Sequence, residues 1–411
     1  MISYAQALSR IKTATSDFSL AQELCYLDGL LGRVLAETIT SPANLPGFDN
    51  SAMDGFALKA NPNKTEIRLP VLANIGAGDV PKIELVDGAI QIMTGAPVPR
   101  GCETVVPVEN VTIQPGADSL PASILLQGPI EADQNIRRAG QDVRQGDPVF
   151  AAGQLLAAEH IMMLAALGIS QANVLARPKI SLISTGAELV DDPGIALRPG
   201  QIRNSNQPFL AAALQGWPVQ ATKIAGHPDT EPAFLALLKG AMGAGAQMVI
   251  STGAVSMGDR DFVPGALRSM GAEIIFHKCK IRPGKPVLFA ILPNGSLFFG
   301  LPGNPVSAAV GFDFFVKPIL RQMLRQPEPA KQMASLCEKF TKRAGFCLFA
   351  KAKVSMQDNQ AQIEVLGGQQ SFRIAPLLQA NCWAELPEEK SEVQAGELVR
   401  FHRLSGGLLC E

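Results

Sequence analysis

The segment Ile183-Ser184-Thr185-Gly186-Ala187 decides the fold, because nearly the same phrase returns as Ile250-Ser251-Thr252-Gly253-Ala254. Each copy ends a short apolar run, and a third run ends in Leu301-Pro302-Gly303-Asn304-Pro305-Val306-Ser307. Open α/β sheets bind ligands at the carboxyl ends of their strands, and the N–H groups that open the following helix suit anions. The three phrases therefore predict one sheet edge with three ligand loops, although any single loop is also compatible with an ordinary strand-to-helix turn.

The residues around these phrases alternate between strand and helix patterns. Between Pro178 and Leu324, apolar runs of strand length alternate with helical segments such as Phe209 to Leu214 and Phe234 to Leu238. This alternation is typical of βαβ units. It predicts a central, mostly parallel, three-layer α/β domain over residues 177–327.

The remaining chain shows three other patterns. Residues 46–146 contain short apolar runs between turn residues, which predicts an inserted small β domain. Ser3 and Gln6 form a capping-box pattern, and the apolar spacing of Leu30 to Leu35 and of Ala157 to Leu167 predicts two more helices, so 1–45 and 147–176 form an N-terminal helical domain. The third helix is expected to pack on the first two. Short strands over 328–411 predict a C-terminal β-barrel, with a β-sandwich as the alternative.

Composition excludes several classes of protein. The 411 residues are 47% hydrophobic, which allows several packed cores, and 36 basic residues nearly balance 37 acidic ones. This balance argues against a nucleic-acid partner. The apolar runs are shorter than the roughly 20 residues of a membrane span, and Met1 to Lys12 lacks a signal-peptide pattern. We expect a cytoplasmic protein without a membrane partner.

Cysteine and histidine usage narrows the choice of metal. The seven cysteines are scattered and never form a C-x-x-C pair, and the four histidines are distant from one another in sequence. Zinc is therefore disfavoured, and a metal is expected on oxygen ligands, as magnesium prefers. Cys279 lies between two lysines, but an unreactive thiol is the preferred interpretation.

Charges of both signs follow the predicted strands. Glu188, Asp229, Asp259 and Asp261 supply acids, and the stretch 277–286 contains Lys278, Lys280, Arg282 and Lys285 beside Pro283-Gly284. A basic run is often only a solvated face. Carboxylates, cations and glycine loops together nevertheless favour a phosphorylated ligand bound with magnesium. Polar phrases at 46–57, 93–97 and 135–142 suggest a second contact surface on the inserted domain.

Seven phrases in one order resemble the molybdopterin molybdenumtransferase family, which includes MoeA and the E domain of gephyrin: PGFDNSAMDGFA, IMTGAPVP, NIRRAGQD, STGAEL, STGAVSMGDRDF, IRPGKP and LPGNPVSA. The resemblance spans nearly the whole chain. It implies four domains, an elongated homodimer, and a cleft between the α/β domain of one subunit and the inserted domain of the other. The implied reaction uses magnesium, inserts molybdate into adenylylated molybdopterin and releases AMP.

The resemblance also implies roles for individual residues. The catalytic candidates are Asp54, Asp142, Glu188, Asp229 and Asp261, of which Glu188, Asp229 and Asp261 are the metal candidates. It assigns Asp54, Thr94 and Asp142 to the inserted-domain wall of the cleft, makes Lys278 and Arg282 the cations, and adds Pro302, Pro305, Lys351 and Ser371. The loop and charge patterns complete the substrate-binding set with Thr185, Gly186, Gly253, Ser256, Lys285, Gly303 and Asn304.

Four positions depart from the family pattern. Ala254 stands where glycine is common, Asn204 where aspartate is common, Arg282 where lysine is common and Lys351 where arginine is common. These departures leave a paralogue with altered substrate handling open. An adenylyltransferase that acts one step earlier, itself an expected transient partner, and a non-catalytic scaffold are also compatible with the sequence. Molybdate-dependent AMP release separates enzyme from scaffold.

Overall fold

The computed structural model of the chain describes residues 1–116, 120–256 and 261–404. Buried apolar side chains in this part gather in five separate clusters, so the fold is multidomain. None of the helices within these ranges is long and apolar enough to cross a membrane.

A six-stranded sheet forms the central domain, and its strands are mostly parallel, as predicted. Five strands run in the same direction, and only Leu288–Ile291 runs antiparallel to its two neighbours. In spatial order they are Gln220–Lys223, Lys179–Ser184, Met248–Thr252, Leu297–Leu301, Leu288–Ile291 and Glu273–His277. The three strands that end in the glycine phrases are direct neighbours, so their loops emerge side by side.

The two faces of this sheet belong to different apolar clusters, because successive side chains along a strand point to opposite faces. Leu182 joins one cluster and Ile183 joins the other. Helices Asn206–Leu214 and Pro305–Gly311 contribute to the first cluster, and helices Glu231–Gly243 and Val263–Ser269 contribute to the second. Helix Pro305–Gly311 continues through a π-helical turn, Phe312–Val316, into helix Lys317–Met323.

The C-terminal domain is a closed β-barrel, which confirms the prediction. Strand Cys347–Gln357 pairs with two other barrel strands, one on each side, and Ala352 takes part in both pairings. This shared strand closes the ring. The ring consists in order of Cys347–Gln357, Gln360–Val365, Gln332–Leu336, Leu398–Arg403 and Cys382–Leu386. A pair Phe340–Thr341 and Glu392–Val393 and a 3-10 turn Ala375–Leu378 lie outside it.

The inserted region contains a six-stranded sheet with its own apolar core. Its strands run in the spatial order Thr104–Pro107, Gly55–Leu58, Ala89–Ile92, Glu66–Ile75, Ser123–Gln127 and Val111–Gln114. A 3-10 turn, Val108–Asn110, precedes the last of these strands in sequence, and Asn50–Ser51 pairs separately with Ile136–Arg137.

The chain returns to the N-terminal region after this insertion. Strand Gln22–Tyr26 pairs with Gln171–Leu175, and strand Ile39–Thr40 pairs with Pro148–Phe150. Helix Tyr4–Ala14 begins with the predicted capping box, in which Ser3 and Gln6 exchange hydrogen bonds. The later helix is Ala158–Ala166, close to the prediction.

The helix predicted over Leu30 to Leu35 does not form. A 3-10 turn Leu27–Gly29 is followed by Gly32 at φ +70°, a left-handed conformation that stops a helix. The next residues extend and pair with other segments: the Leu35 N–H donates to Gln154 O at 2.9 Å, and the Ala36 N–H donates to Asn173 O at 2.9 Å. Tertiary pairing buries these residues, so helical spacing was misleading.

The predicted packing of the later helix on the first two segments holds for the segment Leu30 to Leu35 but not for the first helix. Helix Ala158–Ala166 packs through Leu164 onto Leu30 and Leu35 rather than onto the first helix. The first helix instead buries Ala7 and Ile11 in the cluster of the central sheet and the barrel. Its apolar stripe therefore joins domains that lie far apart in sequence.

Candidate functional site

The three predicted loops contact one another. The Gly253 N–H donates to Leu301 O at 3.0 Å, which joins the second loop to the third strand. A Cβ at Gly253 would lie 2.5 Å from Thr185 Oγ1, and a Cβ at Gly303 would lie 3.7 Å from Gly253 Cα. Glycine at 253 is therefore a requirement of the close approach, and the three loops form one surface at the carboxyl edge of the sheet.

The buried Thr185 locks the first loop to the second. Its N–H and its hydroxyl both donate to Thr252 O, at 2.9 and 3.0 Å. The following residues of the second loop are strained, since Ala254 adopts φ +52°. A left-handed backbone costs a non-glycine residue roughly 1–2 kcal/mol, so the departure noted at Ala254 carries a real conformational cost.

Two carboxylates lie beside the first loop. Gly186 has φ +130°, and a Cβ there would be 2.6 Å from Glu188 Oε1, so the Glu188 carboxylate folds over the glycine. The Gly186 N–H donates to Pro228 O at 3.2 Å, which brings the following residue, Asp229, to the same loop. Both acids are exposed, and within the described ranges neither forms an ion pair.

Asp261 and Ser256 belong to the second loop, on either side of the undescribed residues 257–260, which include the predicted acid Asp259. The His277 ring links this loop to the basic segment, since its Nε2 lies 2.7 Å from Val255 O. Burial lowers the pKa of His277 below its usual value, and the Asp261 charge acts in the opposite direction. Asp261 therefore lies close enough to His277 to influence it.

The four predicted cations differ in their contacts. Lys280 pairs with Glu388 at 2.8 Å, so its charge is neutralised. Lys278, Arg282 and Lys285 form no ion pair within the described ranges, and Arg282 stacks over Phe346 with its guanidinium 4.7 Å from the ring centroid. Among the residues that the structure describes, these three of the four cations are therefore the ones whose charge no carboxylate neutralises.

The basic segment is held against two domains. Residues Ile281–Arg282 pair with the barrel strand at Cys347 and Leu348. Gly284 packs on helix Pro305–Gly311, where a Cβ would lie 3.5 Å from Ser307 O. Cys279 is fully buried, and burial raises its pKa to about 12, which fits the unreactive interpretation.

The third loop is less open than predicted. Pro302 is buried, Gly303 and Asn304 are exposed, and Pro305 begins a short helix. The Val306 N–H is not free, because it donates to Ser371 O of the C-terminal domain at 3.1 Å. The expectation of unpaired N–H groups at this helix start is therefore wrong for Val306: a neighbouring domain supplies the acceptor.

Lys351 supports the segment that carries Ser371. Its side chain is fully buried, and its ammonium group donates to Gly368 O, Gln370 O and Arg373 O at 2.7, 3.2 and 3.1 Å. An ammonium has three donors, so all three are used. Burial, with the Arg373 charge, lowers the Lys351 pKa. Lys351 therefore holds the 368–373 segment in place.

The inserted domain brings its own polar phrases together. Asp54 Oδ1 accepts from the Thr94 N–H at 2.6 Å and from the Thr94 hydroxyl at 2.8 Å. These two bonds hold the Asp54 pKa below its usual value, the backbone bond most strongly. Asp142 is exposed. Its N–H donates to Leu45 O at 3.0 Å, and Leu45 directly precedes the polar phrase 46–57, which contains Asp54.

Side chains that the sequence patterns did not single out complete both surfaces. Arg138 pairs with Asp49 and Asp133 on the inserted domain. Behind the first α/β loop, Asp191 contacts His227 and Asn204. Asp191 and His227 carried no recognisable spacing signal, because the contact depends on two segments that are distant in sequence.

The predicted metal candidates do not form a closed ligand cluster. Within the described ranges, no three His, Cys, Asp or Glu side chains converge as metal ligands. Two cavities, of about 550 and about 520 Å³, lie away from the loops, one beside Trp383 and one beside Trp217. The loops, rather than these cavities, carry the candidate site, because the charged side chains without an ion pair in the described ranges border the loops.

Fold and site together define a multidomain α/β protein with a charged ligand surface at the carboxyl edge of a parallel sheet. Comparison with known families agrees across the chain. Residues 2–168 match "MoeA N-terminal region (domain I and II)", residues 181–322 match "Probable molybdopterin binding domain", and residues 334–404 match "MoeA C-terminal region (domain IV)".

Individual relatives point the same way. The molybdopterin molybdenumtransferase of Synechococcus elongatus is 38% identical over 98% of this chain and 100% of the relative. The protein of the same name from Haemophilus influenzae is 34% identical over 95% of this chain and 96% of its own length. The molybdopterin biosynthesis MoeA structure from Pyrococcus horikosii superposes with TM-score 0.81 at 28% identity, covering 98% and 99% of the two chains. This chain belongs to the MoeA family.

Proposed function

We propose that the protein is a molybdopterin molybdenumtransferase that inserts molybdate into adenylylated molybdopterin and releases AMP. The observation that carries the proposal is that three mutually contacting loops border both acids and cations that form no ion pair among the described residues. Glu188 and Asp229 lie beside the first loop, and Lys278 adjoins the second loop through His277. A phosphorylated substrate that binds together with a magnesium ion needs protein cations for its own negative charge and carboxylates for the metal.

Magnesium fits the acidic side of this surface. Glu188, Asp229 and Asp261 offer the carboxylate oxygens that magnesium prefers, and magnesium commonly completes its shell with water and substrate phosphates. Because no three protein ligands converge among the described residues, substrate phosphate oxygens would serve as further ligands. When bound, the metal neutralises charge on the phosphoanhydride that is cleaved.

The remaining residues divide by chemistry. Lys278, Arg282 and Lys285 attract molybdate, which is a dianionic substrate. The substrate lies against the backbone and small side chains of the three loops, at Thr185, Gly186, Gly253, Ser256, Pro302, Gly303, Asn304 and Pro305. Ser371 borders this surface through its contact with Val306, and Lys351 holds the segment of Ser371 in place.

The proposal includes a second subunit. Asp54, Thr94 and Asp142 form the opposite wall and come from the inserted domain of the partner in a homodimer. The separate core of that domain supports its treatment as a unit, and we propose boundaries at 1–45 with 147–176, 46–146, 177–327 and 328–411. A transient contact with the upstream adenylyltransferase and a cytoplasmic location belong to the same proposal.

Molybdate-dependent AMP release from adenylylated molybdopterin tests the function. Asp54→Asn and Asp261→Asn each keep the shape of the side chain and remove its charge, and a preorganised charge is worth on the order of 100-fold in rate. We expect losses of that size, with circular dichroism unchanged. Asp87→Asn is the matched control in the inserted domain, and it should keep full activity. Among the described residues, the Asp87 side chain accepts only from the neighbouring Gly88 N–H, at 3.0 Å.

The outcomes separate the three candidate functions. AMP transfer from ATP to molybdopterin without molybdate would identify an adenylyltransferase. If no AMP is released at any concentration of magnesium and molybdate, the protein is a non-catalytic scaffold. Near-normal release by Asp54→Asn or Asp261→Asn would remove that residue from the site.

A further inference from the structure

A polar network lies directly behind the first loop, at Asp191, Asn204 and His227. Asp191 Oδ2 is 2.9 Å from His227 Nε2, and Asp191 Oδ1 accepts from Asn204 Nδ2 at 2.8 Å. Asn204 is 7% exposed, and its Oδ1 accepts from the Ser184 hydroxyl at 3.4 Å and from the Gln207 N–H at 3.3 Å. The Asn204 amide oxygen is therefore an acceptor and the amide nitrogen is a donor in this network.

This network joins the two segments that carry the unpaired acids. Glu188 lies three residues before Asp191, and the Glu188 carbonyl accepts from the Ile202 N–H at 2.8 Å. Asp229 lies two residues after His227, whose Nδ1 is 3.3 Å from Ser184 O at the end of the first strand. A shift of Asp191 would therefore move both the 184–191 segment and the 224–230 segment.

The donor and acceptor roles in these hydrogen bonds allow one carboxylate and one amide at positions 191 and 204. They do not allow two carboxylates or two amides. With two carboxylates, the atoms now 2.8 Å apart would both be acceptors and would repel. A carboxylate only accepts, so the contact of 2.9 Å between Asp191 Oδ2 and His227 Nε2 requires a proton on Nε2. With two amides, as in Asp191→Asn, and the proton still on Nε2, the new side chain needs its oxygen for His227, so its NH₂ group would face the NH₂ group of Asn204. Turning Asn204 over would then set an NH₂ group against the Gln207 N–H donor.

We propose that Asp191, with Asn204 and His227, is a positioning residue that holds Glu188 and Asp229 in register for magnesium and the substrate phosphates. The inference rests on the proposed function for the identity of the ligand. Outer partners of metal-binding side chains typically affect metal affinity or activity by roughly 10–100-fold. The network should tolerate the carboxylate at position 191 or at position 204, provided that the other position carries an amide.

A charge exchange between the two positions tests this inference. Asp191→Asn and Asn204→Asp should each raise the magnesium concentration for half-maximal AMP release roughly tenfold. The double variant Asp191→Asn/Asn204→Asp restores one carboxylate and one amide and should return this concentration to within about twofold of the unchanged protein. Asp192→Asn is the matched control: Asp192 bonds to the Gly194 N–H at 2.8 Å outside the network, so no change is expected.

A second measurement does not depend on activity. Hydrogen exchange of residues 184–191 and 224–230, followed by mass spectrometry at a temperature where all variants are folded, should speed up in both single variants and slow down again in the double variant. Single variants with unchanged magnesium dependence and exchange, or a double variant as impaired as the singles, would overturn the positioning role. If the unchanged protein releases no AMP with molybdate, the proposed function fails, and the exchange data still decide whether the network positions the two segments.

Discussion

At the scale of single residues, contacts distinguish side chains that the sequence presents as equals. Lys280 and Arg282 lie two positions apart in one basic run, yet Lys280 is neutralised by Glu388 and Arg282 stacks on Phe346 without an ion pair within the described ranges. Lys351 resembles a ligand-binding cation in sequence, but its three donors bond to the backbone. Charge type was predictable from the sequence, and availability of that charge was not.

Arg282 offers a test of how the cations recognise molybdate. Arginine and lysine differ in fork geometry, but a tetrahedral oxyanion accepts hydrogen bonds from many directions. Arg282→Lys should therefore keep most activity, whereas Arg282→Ala should raise the molybdate concentration for half-maximal insertion severalfold and leave binding of the adenylylated pterin unchanged. Steady-state titrations of each substrate measure the two effects separately.

Arg343 supplies the control, because its guanidinium also approaches the Phe346 ring, at 6.0 Å. Arg343→Ala should leave the molybdate dependence as it is. Equal damage from Arg282→Lys and Arg282→Ala, or a loss confined to pterin binding, would assign Arg282 to the organic substrate.

At the scale of elements, local signals succeeded where the local backbone decides the outcome. The capping box at Ser3 was predictable because both of its hydrogen bonds join residues only three positions apart. The segment Leu30 to Leu35 has helical apolar spacing as well, but pairing with residues 154 and 173 draws it into an extended form. Apolar periodicity indicates which residues are buried. Burial alone does not distinguish a helix from an extended segment.

The capping box carries a prediction about the first helix. Ser3→Ala removes the side-chain acceptor for the Gln6 N–H, 3.2 Å away, and such a loss costs roughly 1 kcal/mol. Native-state hydrogen exchange over residues 4–14 should show opening made easier by about that amount. Ser9→Ala, an exposed change within the same helix, should have no destabilising effect because alanine favours helix interiors. Equal effects of the two variants would mean that the cap contributes nothing.

At the scale of the whole molecule, the proposed cleft depends on two chains. The inserted domain has its own core, and its acid Asp54 is held by Thr94 of the same domain. Asp229 and Glu188 lie on the central domain. A site that uses both surfaces is complete only where an inserted domain meets a central domain.

Complementation between inactive variants tests the shared cleft. A heterodimer of an Asp54→Asn chain and an Asp261→Asn chain should contain one intact site and regain about half of the activity per dimer. Mixing Asp54→Asn with Thr94→Ala is the control, because both changes lie on the same wall and leave no intact site in any dimer. Heterodimers of the first kind that form, as shown by native mass spectrometry, but stay inactive would place the whole cleft within one chain.

By itself the sequence determined the strand-and-helix alternation, the glycine loops at three strand ends, the inserted β region and the C-terminal barrel. These features follow from apolar periodicity and turn chemistry, which act between residues that are near in sequence. Tertiary structure alone decided that the first helix packs on the central sheet, that Ser371 occupies the Val306 N–H, and that Asp191 meets His227. Hydrogen-bond partners and charge neutralisation depend on which distant segments come into contact, and neither spacing nor composition contains that information.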